Sequence, residues 1–192
     1  MTGVQTCALP IFPLLTAIFA QSRFLSDMLL RRPEYVTWLR GEAERRRART
    51  SEEMLADLLG REEVFGSFEE ACGAMRRFRQ RAILRIAVRE IVDHAPIESV
   101  TEDLSNLADA MLEAALIAAR KELEPRFGIP MSQSAKEEAH HTPFVILAMG
   151  KLGGRELNFS SDVDLLFLYG EEGETPGGSA KSITNEEYFK KL

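Results

Sequence analysis

The segment TEDLSNLADAMLEAALIAARKELEPRFG, residues 101–128, places Leu104, Leu107, Ala108, Met111, Leu112, Ala115, Ala119 and Leu123 at steps of three and four. An α-helix turns once every 3.6 residues, so this spacing gathers them into one apolar stripe that other elements must cover. Acidic residues near the start and basic residues near the end suit the helix dipole. A bundle of helices is the architecture that satisfies such a stripe.

The preceding segments supply partners. In SRFLSDMLLRRPEYVTWLR, Phe24, Leu25, Met28 and Leu29 fall on one helical face. Pro33 ends that helix and can open the next, where its missing N–H costs little. Ser51, with Glu53 and Met54 after it, reads as a capped helix start, and EEMLADLLG stops at Gly60. Ser67 with Glu70 three residues on is a capping box. The helix it opens runs through MRRFRQRAILRIAVREIVDH, where Phe78, Ala82, Ile86 and Val88 alternate with arginines between Arg76 and Arg89. Those arginines read as a solvated face, partly paired with Glu90 and helix ends, with contact to a partner or a nucleotide as the alternative. His94, ahead of Pro96, reads as a residue at a helix C-terminus, and Trp38 and the methionines at helical spacing as core. Residues 12–125 are expected to form the helical bundle domain.

The first eleven residues, MTGVQTCALPI, read as a non-native leader resembling translated adapter sequence, and 1–11 is set apart from the fold. The apolar stretch around them has no basic flank and two prolines, which fits neither a membrane span nor a signal peptide. A net charge of −6 leaves no basic footprint, so no nucleic-acid partner is expected, and no membrane partner either. Cys7 and Cys72 make neither a CxxC nor a disulfide framework, which points to a reducing, cytoplasmic setting.

EPRFGIPMSQSAKEEAHHTP contains two proline stops, the first at Pro125, a glycine and a polar cluster, so residues 126–142 read as a linker, with His140-His141 as a surface pair. From 143 onward the texture changes. FVILAMG and VDLLFLYG are short apolar runs of strand length, expected to be buried on both faces. The tail reads as a polar loop and then a helix start after Thr184 or Asn185. It stops at NEEYFKKL without a cap, so the chain reads as a fragment.

Between the two strands lies GKLGGRELNFSSDVD. A phosphate loop of the GxxxxGK[ST] type fails here, because position 145 is valine and Leu152 follows the lysine; GxGxxG is absent too. What remains is a strand, a Gly153-Gly154 turn, a short helix starting near Gly154, and a strand carrying Asp162 and Asp164. Free N–H groups at a helix start favour a phosphate. Residues two apart on a strand share a face, about 6.6 Å along it, with Val163 turned the other way into the core. Two such carboxylates can share Mg²⁺, which takes oxygen ligands and engages substrate phosphates. A tight turn and a solvated strand end are the structural alternatives.

This order of strand, glycine turn and Asp-x-Asp resembles the DNA polymerase β-like nucleotidyltransferase superfamily. The string GKLGGRELNFSSDVDLLFLY is similar to a narrower bacterial family, the bifunctional glutamine synthetase adenylyltransferase/adenylyl-removing enzymes. FLSDMLLRRPEYVTWL, MRRFRQRAILRIAVREI and LSNLADAMLEAALIAARKEL resemble the helices ahead of that family's catalytic domains, so the likeness covers about residues 14–192. ELNFSSDVDL followed by GGSAKSITNEEYF looks more like the N-terminal, AMP-removing half.

The resemblance implies an α+β chain: an N-terminal α-helical bundle, then the beginning of a polymerase β-like nucleotidyltransferase domain at 143–192. It implies Mg²⁺-dependent in-line transfer of AMP from ATP to a tyrosine of glutamine synthetase, or phosphorolytic removal of that AMP. Glutamine synthetase and the PII signalling protein are the implied partners, and ATP, AMP-tyrosine and phosphate the implied substrates. By the same resemblance Asp162 and Asp164 are the catalytic metal ligands, and Gly153 and Gly154 the phosphate-facing turn. Ser161 is a phosphate donor or a cap of the strand mouth, and Lys151 a phosphate counter-charge or a surface lysine. Arg155 and Asn158 stay open. The superfamily's third carboxylate is expected beyond Leu192, so the fragment by itself is expected to be inactive. The alternatives are a nucleotidyltransferase of the same superfamily with another acceptor, and a non-catalytic helical interaction fragment.

Overall fold

The apolar stripe of residues 104–123 is realised as one long helix in a computed structural model that describes residues 11–41, 47–60, 66–132 and 140–192. The helical part consists of α1 (Ile11–Gln21), α2 (Arg23–Arg31), α3 (Glu34–Gly41), α4 (Ser51–Leu59), α5 (Phe68–Ile91) and α6 (Ile97–Phe127). The long helices α5 and α6 pack on each other, α4 packs on α6, and α1 on α5. Leu104, Leu107, Ala110, Ala114 and Ala118 of α6 share a core with Ala71, Ala74, Phe78, Ala82 and Ile86 of α5. Alanine dominates that seam, and small side chains let two helix axes approach closely. The proposed leader lies outside the described residues except for Ile11, and so does Cys7.

Local signals set the helix starts. The Ser67 hydroxyl accepts the Glu70 N–H at 3.3 Å and the Glu70 carboxylate accepts the Ser67 N–H at 2.7 Å, the expected reciprocal box. At α4 the cap is Thr50 rather than Ser51: Thr50 Oγ1 accepts the Glu53 N–H while Glu53 accepts the Thr50 N–H. The glutamate must sit three residues past the cap, and that spacing selects Thr50. Gly60 caps the end of α4 as expected. Phe24 departs from its expected face and is exposed, whereas Leu25, Met28 and Leu29 are buried.

Pro125 does not stop α6, which continues to Phe127. The final carbonyls are taken up by a distant loop: Gly177, Ser179 and Ala180 donate N–H groups to Phe127, Pro125 and Arg126 oxygens at 2.8–3.1 Å. Orphan carbonyls at a helix end need such partners, and here the second half of the chain provides them.

The largest departure concerns the arginines. Arg85 and Arg89 are buried, and both grip Asp103 of α6, which is fully buried. Arg85 Nη2 donates to Asp103 Oδ1 at 2.6 Å and Arg89 Nη1 to Oδ2 at 2.5 Å. Asp103 Oδ1 also accepts the Arg49 N–H, Arg85 reaches the Arg47 carbonyl, and Arg89 reaches Ser99. A single carboxylate thus ties α5, α6 and the segment entering α4.

The second half is built from β1 (Met131–Ser132), β2 (Phe144–Met149), α7 (Gly150–Gly153), β3 (Asp164–Tyr169), β4 (Gly173–Glu174) and α8 (Asn185–Phe189). Strands β2 and β3 pair antiparallel from Phe144↔Tyr169 to Met149↔Asp164, and β1 pairs antiparallel with β4. Helices followed by small antiparallel sheets make the chain α+β. Thr184 caps α8 with Glu187, where the tail was expected to turn helical. Asn185 is fully buried, and its amide reaches the Met131 carbonyl, Thr142 Oγ1 and the Glu171 carbonyl, pinning the tail to the linker strand. His140 and His141 are exposed, as read.

The hairpin strands are not buried on both faces. Val145, Leu147, Met149, Leu166 and Leu168 share one face by their register, and all are exposed. Antiparallel pairs can leave one face open in a way parallel sheets do not, and among the described residues no layer covers this one. Ala148 and Leu165, on the opposite face, pack against the helical core.

Replacing Asp103 with Ala leaves two buried guanidinium groups without their carboxylate, and is expected to cost about 3–5 kcal/mol in urea unfolding. A joint Arg85→Met, Asp103→Leu, Arg89→Met replacement should cost less than that single change; the opposite order would refute the electrostatic account. The Ser67 backbone N–H and then its hydroxyl hold the Glu70 carboxyl below its ordinary value. Its folded pKa is therefore depressed, so its stabilisation is present above the ordinary carboxylate range and disappears as pH falls through the folded value. Glu70→Gln should lower the melting temperature at pH 7 and have no effect at strongly acid pH; a difference that persists in acid would contradict the capping assignment.

Candidate functional site at the mouth of the hairpin

The turn from β2 into α7 depends on Gly150, whose φ of +56° lies in the left-handed region that side chains disfavour. A Cβ there would sit 3.0 Å from Asp164 Oδ2, so the glycine also makes room for that carboxylate. The helix therefore starts at Gly150 and ends at Gly153, with Gly154 as its C-cap, instead of starting near Gly154. The Gly154 N–H is spent on the Gly150 carbonyl at 3.0 Å. Gly153 is demanded by packing: a Cβ on it would lie 2.5 Å from the Ala148 carbonyl oxygen, whereas one on Gly154 meets nothing nearer than 3.6 Å.

Asp164 opens β3 opposite Met149, and Asp162 lies two residues before the strand. The ladder ends there because β2 has already turned into α7, leaving Val163 and Asp162 without a strand partner. Val163 is exposed, contrary to its expected place in the core. Asp162 and Asp164 are exposed too, and neither carboxylate makes a hydrogen bond or ion pair among the described residues. Two carboxylates left uncompensated two residues apart are a hard-oxygen donor set suited to Mg²⁺, which commonly takes one or two protein carboxylates and completes its shell with water and phosphate. No group of three or more His, Cys, Asp or Glu side chains is poised for a metal among the described residues.

The segment between is held by the helices. Arg155, at φ +60°, reaches Asp109 Oδ2 at 2.8 Å and donates to Asn106 Oδ1. Leu152 and Leu157 are buried in the helical core, and the Leu157 N–H points at Ser105 Oγ. Residues 158–161 form a tight turn: Asn158 Oδ1 accepts the Ser160 N–H, and Ser161 Oγ accepts the Asn158 N–H at 3.3 Å. Ser161 thus caps the turn before the strand while keeping its O–H free to donate. Lys151 is exposed beside the turn.

The register sets Asp164 against Gly150, and Lys151, the glycine pair, Ser161 and Asp162 all lie in the segment that joins β2 to β3. The clamp by Asn106 and Asp109 escaped sequence reading. Both lie on the polar flank of α6, and only the fold shows which loop they meet.

Comparison with known proteins adds a second line. A family model described as glutamate-ammonia ligase adenylyltransferase matches residues 12–192. The chain is similar to proteins named bifunctional glutamine synthetase adenylyltransferase/adenylyl-removing enzyme. It is 36% identical over 180 residues to that of Shewanella oneidensis, covering 93% of this chain and 18% of the relative. The relative from Nitrosococcus oceani is 36% identical over 179 residues with the same coverage. That of Burkholderia mallei is 40% identical over 119 residues, 62% of this chain and 12% of the relative. The chain spans less than a fifth of the length of these relatives.

The two adjacent glycines should respond differently to alanine. Gly153→Ala drives a methyl into the Ala148 carbonyl and is expected to destabilise the chain by about 1–3 kcal/mol, as overpacking does. Gly154→Ala should leave the unfolding midpoint within about 0.5 kcal/mol of the parent. Equal effects in chemical denaturation would show that α7 is not seated on the end of β2.

Proposed function

The chain belongs to the glutamate-ammonia ligase adenylyltransferase family, and from that premise we propose that it carries the metal and phosphate end of an adenylyl-transfer site acting on glutamine synthetase. The relatives' names supply the target and both directions, attachment of AMP and its removal. The observation that carries the reading is the pair of exposed, uncompensated carboxylates, Asp162 and Asp164, beside the Gly150–Gly154 turn. The finer architecture, a helical bundle ahead of the first strands of a polymerase β-like nucleotidyltransferase domain, is part of the same proposal.

In this reading Asp162 and Asp164 would hold Mg²⁺, which supplies charge neutralisation for attacking and leaving oxygens in an in-line displacement at phosphorus. The remaining work falls to the chain itself. Phosphoryl-type transfer is governed by positioning and electrostatics more than by covalent catalysis. Gly150 lets the Asp164 carboxylate settle against the turn, and the Arg155 clamp fixes the loop on which Asp162 rides. The Ser161 O–H is available to a phosphate oxygen, and the Lys151 ammonium to its charge. The Gly153-Gly154 turn has no side chains that would keep a phosphate at a distance. In the removal direction, inorganic phosphate attacks the adenylyl phosphorus, the tyrosyl oxygen leaves to become the free hydroxyl, and ADP is formed; in the attachment direction, the tyrosyl oxygen loses its proton and attacks the α-phosphorus of ATP, and pyrophosphate leaves.

In a full-length protein carrying this segment, Asp162→Ala or Asp164→Ala should lower the corresponding adenylyl transfer or removal by about a hundredfold or more, exceeding the loss of an outer-shell partner. The assay follows AMP attached to glutamine synthetase with ATP, or released from it with phosphate, and circular dichroism checks folding. Turnover preserved in either folded variant would sink the assignment.

A further inference from the structure

A cavity of about 340 Å³ opens beside Asp162, between α5, α6 and residues 157–163. Its walls are Ile83, Leu104, Leu107, Met111, Leu112 and Leu157. Arg79, Asn158 and Ser161 stand at its polar edge together with Asp162. Arg79 is exposed and makes no hydrogen bond or ion pair among the described residues, and the Asn158 amide uses its oxygen on Ser160 and keeps its N–H groups available. We propose that this cavity takes the purine base of the adenylyl nucleotide whose phosphate lies at the Asp162–Asp164 pair; the proposal rests on the metal–phosphate reading of that pair.

The walls decide which part of a nucleotide can enter. A phosphate or sugar would lose its water against leucine, isoleucine and methionine without compensation, whereas a flat base loses little and gains dispersion contact. Small-molecule sites combine such apolar walls with a few convergent polar groups. Arg79 can lie over the π face of a base, and the Asn158 amide can donate to a ring nitrogen. Asp162 belongs to both the cavity edge and the carboxylate pair, so one nucleotide would span them. The helical half of the chain thereby becomes part of the substrate site as well as its support.

The test uses the 192-residue chain with adenosine, which carries the base without phosphate, and separately with magnesium tripolyphosphate. Saturation-transfer NMR should show contact at the purine H2 and H8 protons in the parent chain. Ala108 also lines the cavity, and Ala108→Trp, which fills it, should abolish that contact. Arg79→Ala should weaken adenosine about threefold, the size of an exposed cation–π contact. Absence of adenosine contact in the parent, or affinity unchanged in the folded variants, overturns the proposal; if Ala108→Trp does not fold, Arg79→Ala decides alone. Failure of the underlying phosphate reading looks different: tripolyphosphate binding is then indifferent to Asp162→Asn and Asp164→Asn while the parent chain keeps its adenosine contact.

Discussion

Everything downstream of α6 depends on how the polar flank of that helix is tied. Asp103 holds Arg85, Arg89 and the Arg49 N–H; three residues on, Asn106 accepts from Arg155 and donates to the Arg49 carbonyl; three further on, Asp109 pairs with Arg155. Steps of three keep these side chains on neighbouring positions along the helix surface. The buried end of the row fixes α5 against α6 and the connector into α4. The exposed end fixes the loop that carries the candidate site. A charge buried at this depth is expensive unless fully partnered, which gives the row its rigidity: the arginines have nowhere else to go.

The site is accordingly a joint product of two textures. Leu152 and Leu157 place α7 and the following loop in the helical core, and Gly153 brings α7 down onto the end of β2. Asp164 receives its position from the strand register, and Asp162 from a turn closed by Asn158 and Ser161. Such supports matter because the exposed hairpin face contributes little burial of its own, and a two-stranded ribbon is marginal without packing. The chain's second half returns the support, since residues 177–180 close the carbonyl end of α6.

Much of this was legible in advance. The helices, the Ser67 box, the Gly60 stop, the helix after Thr184 and the strands around the glycine turn follow from spacing and cap chemistry, which are local. The misplacements share a cause. Pro125 in EPRFGIP reads as a stop because its missing N–H weakens a helix locally, yet carbonyl partners from residues 177–180 carry the helix past it. Arg85 and Arg89 were read as solvated because an arginine is usually cheaper in water, and Asp103 gave no sign within its own helix that it would meet them. The same holds for the short helix at the glycine turn, whose start at Gly150 follows from a positive φ that no spacing reveals.

By itself, the sequence determined the order of elements, the helical periodicity, the caps and the candidate chemistry of Gly153, Gly154, Asp162 and Asp164, because each depends on residues within a turn or a strand of one another. Tertiary structure alone decided which charges are buried, which glycine is required by packing, where the ladder stops short of Asp162, and that α5 and α6 supply the walls of a cavity beside that residue. Those outcomes depend on atoms far apart in the chain, brought within contact distance by the burial of the α6 stripe.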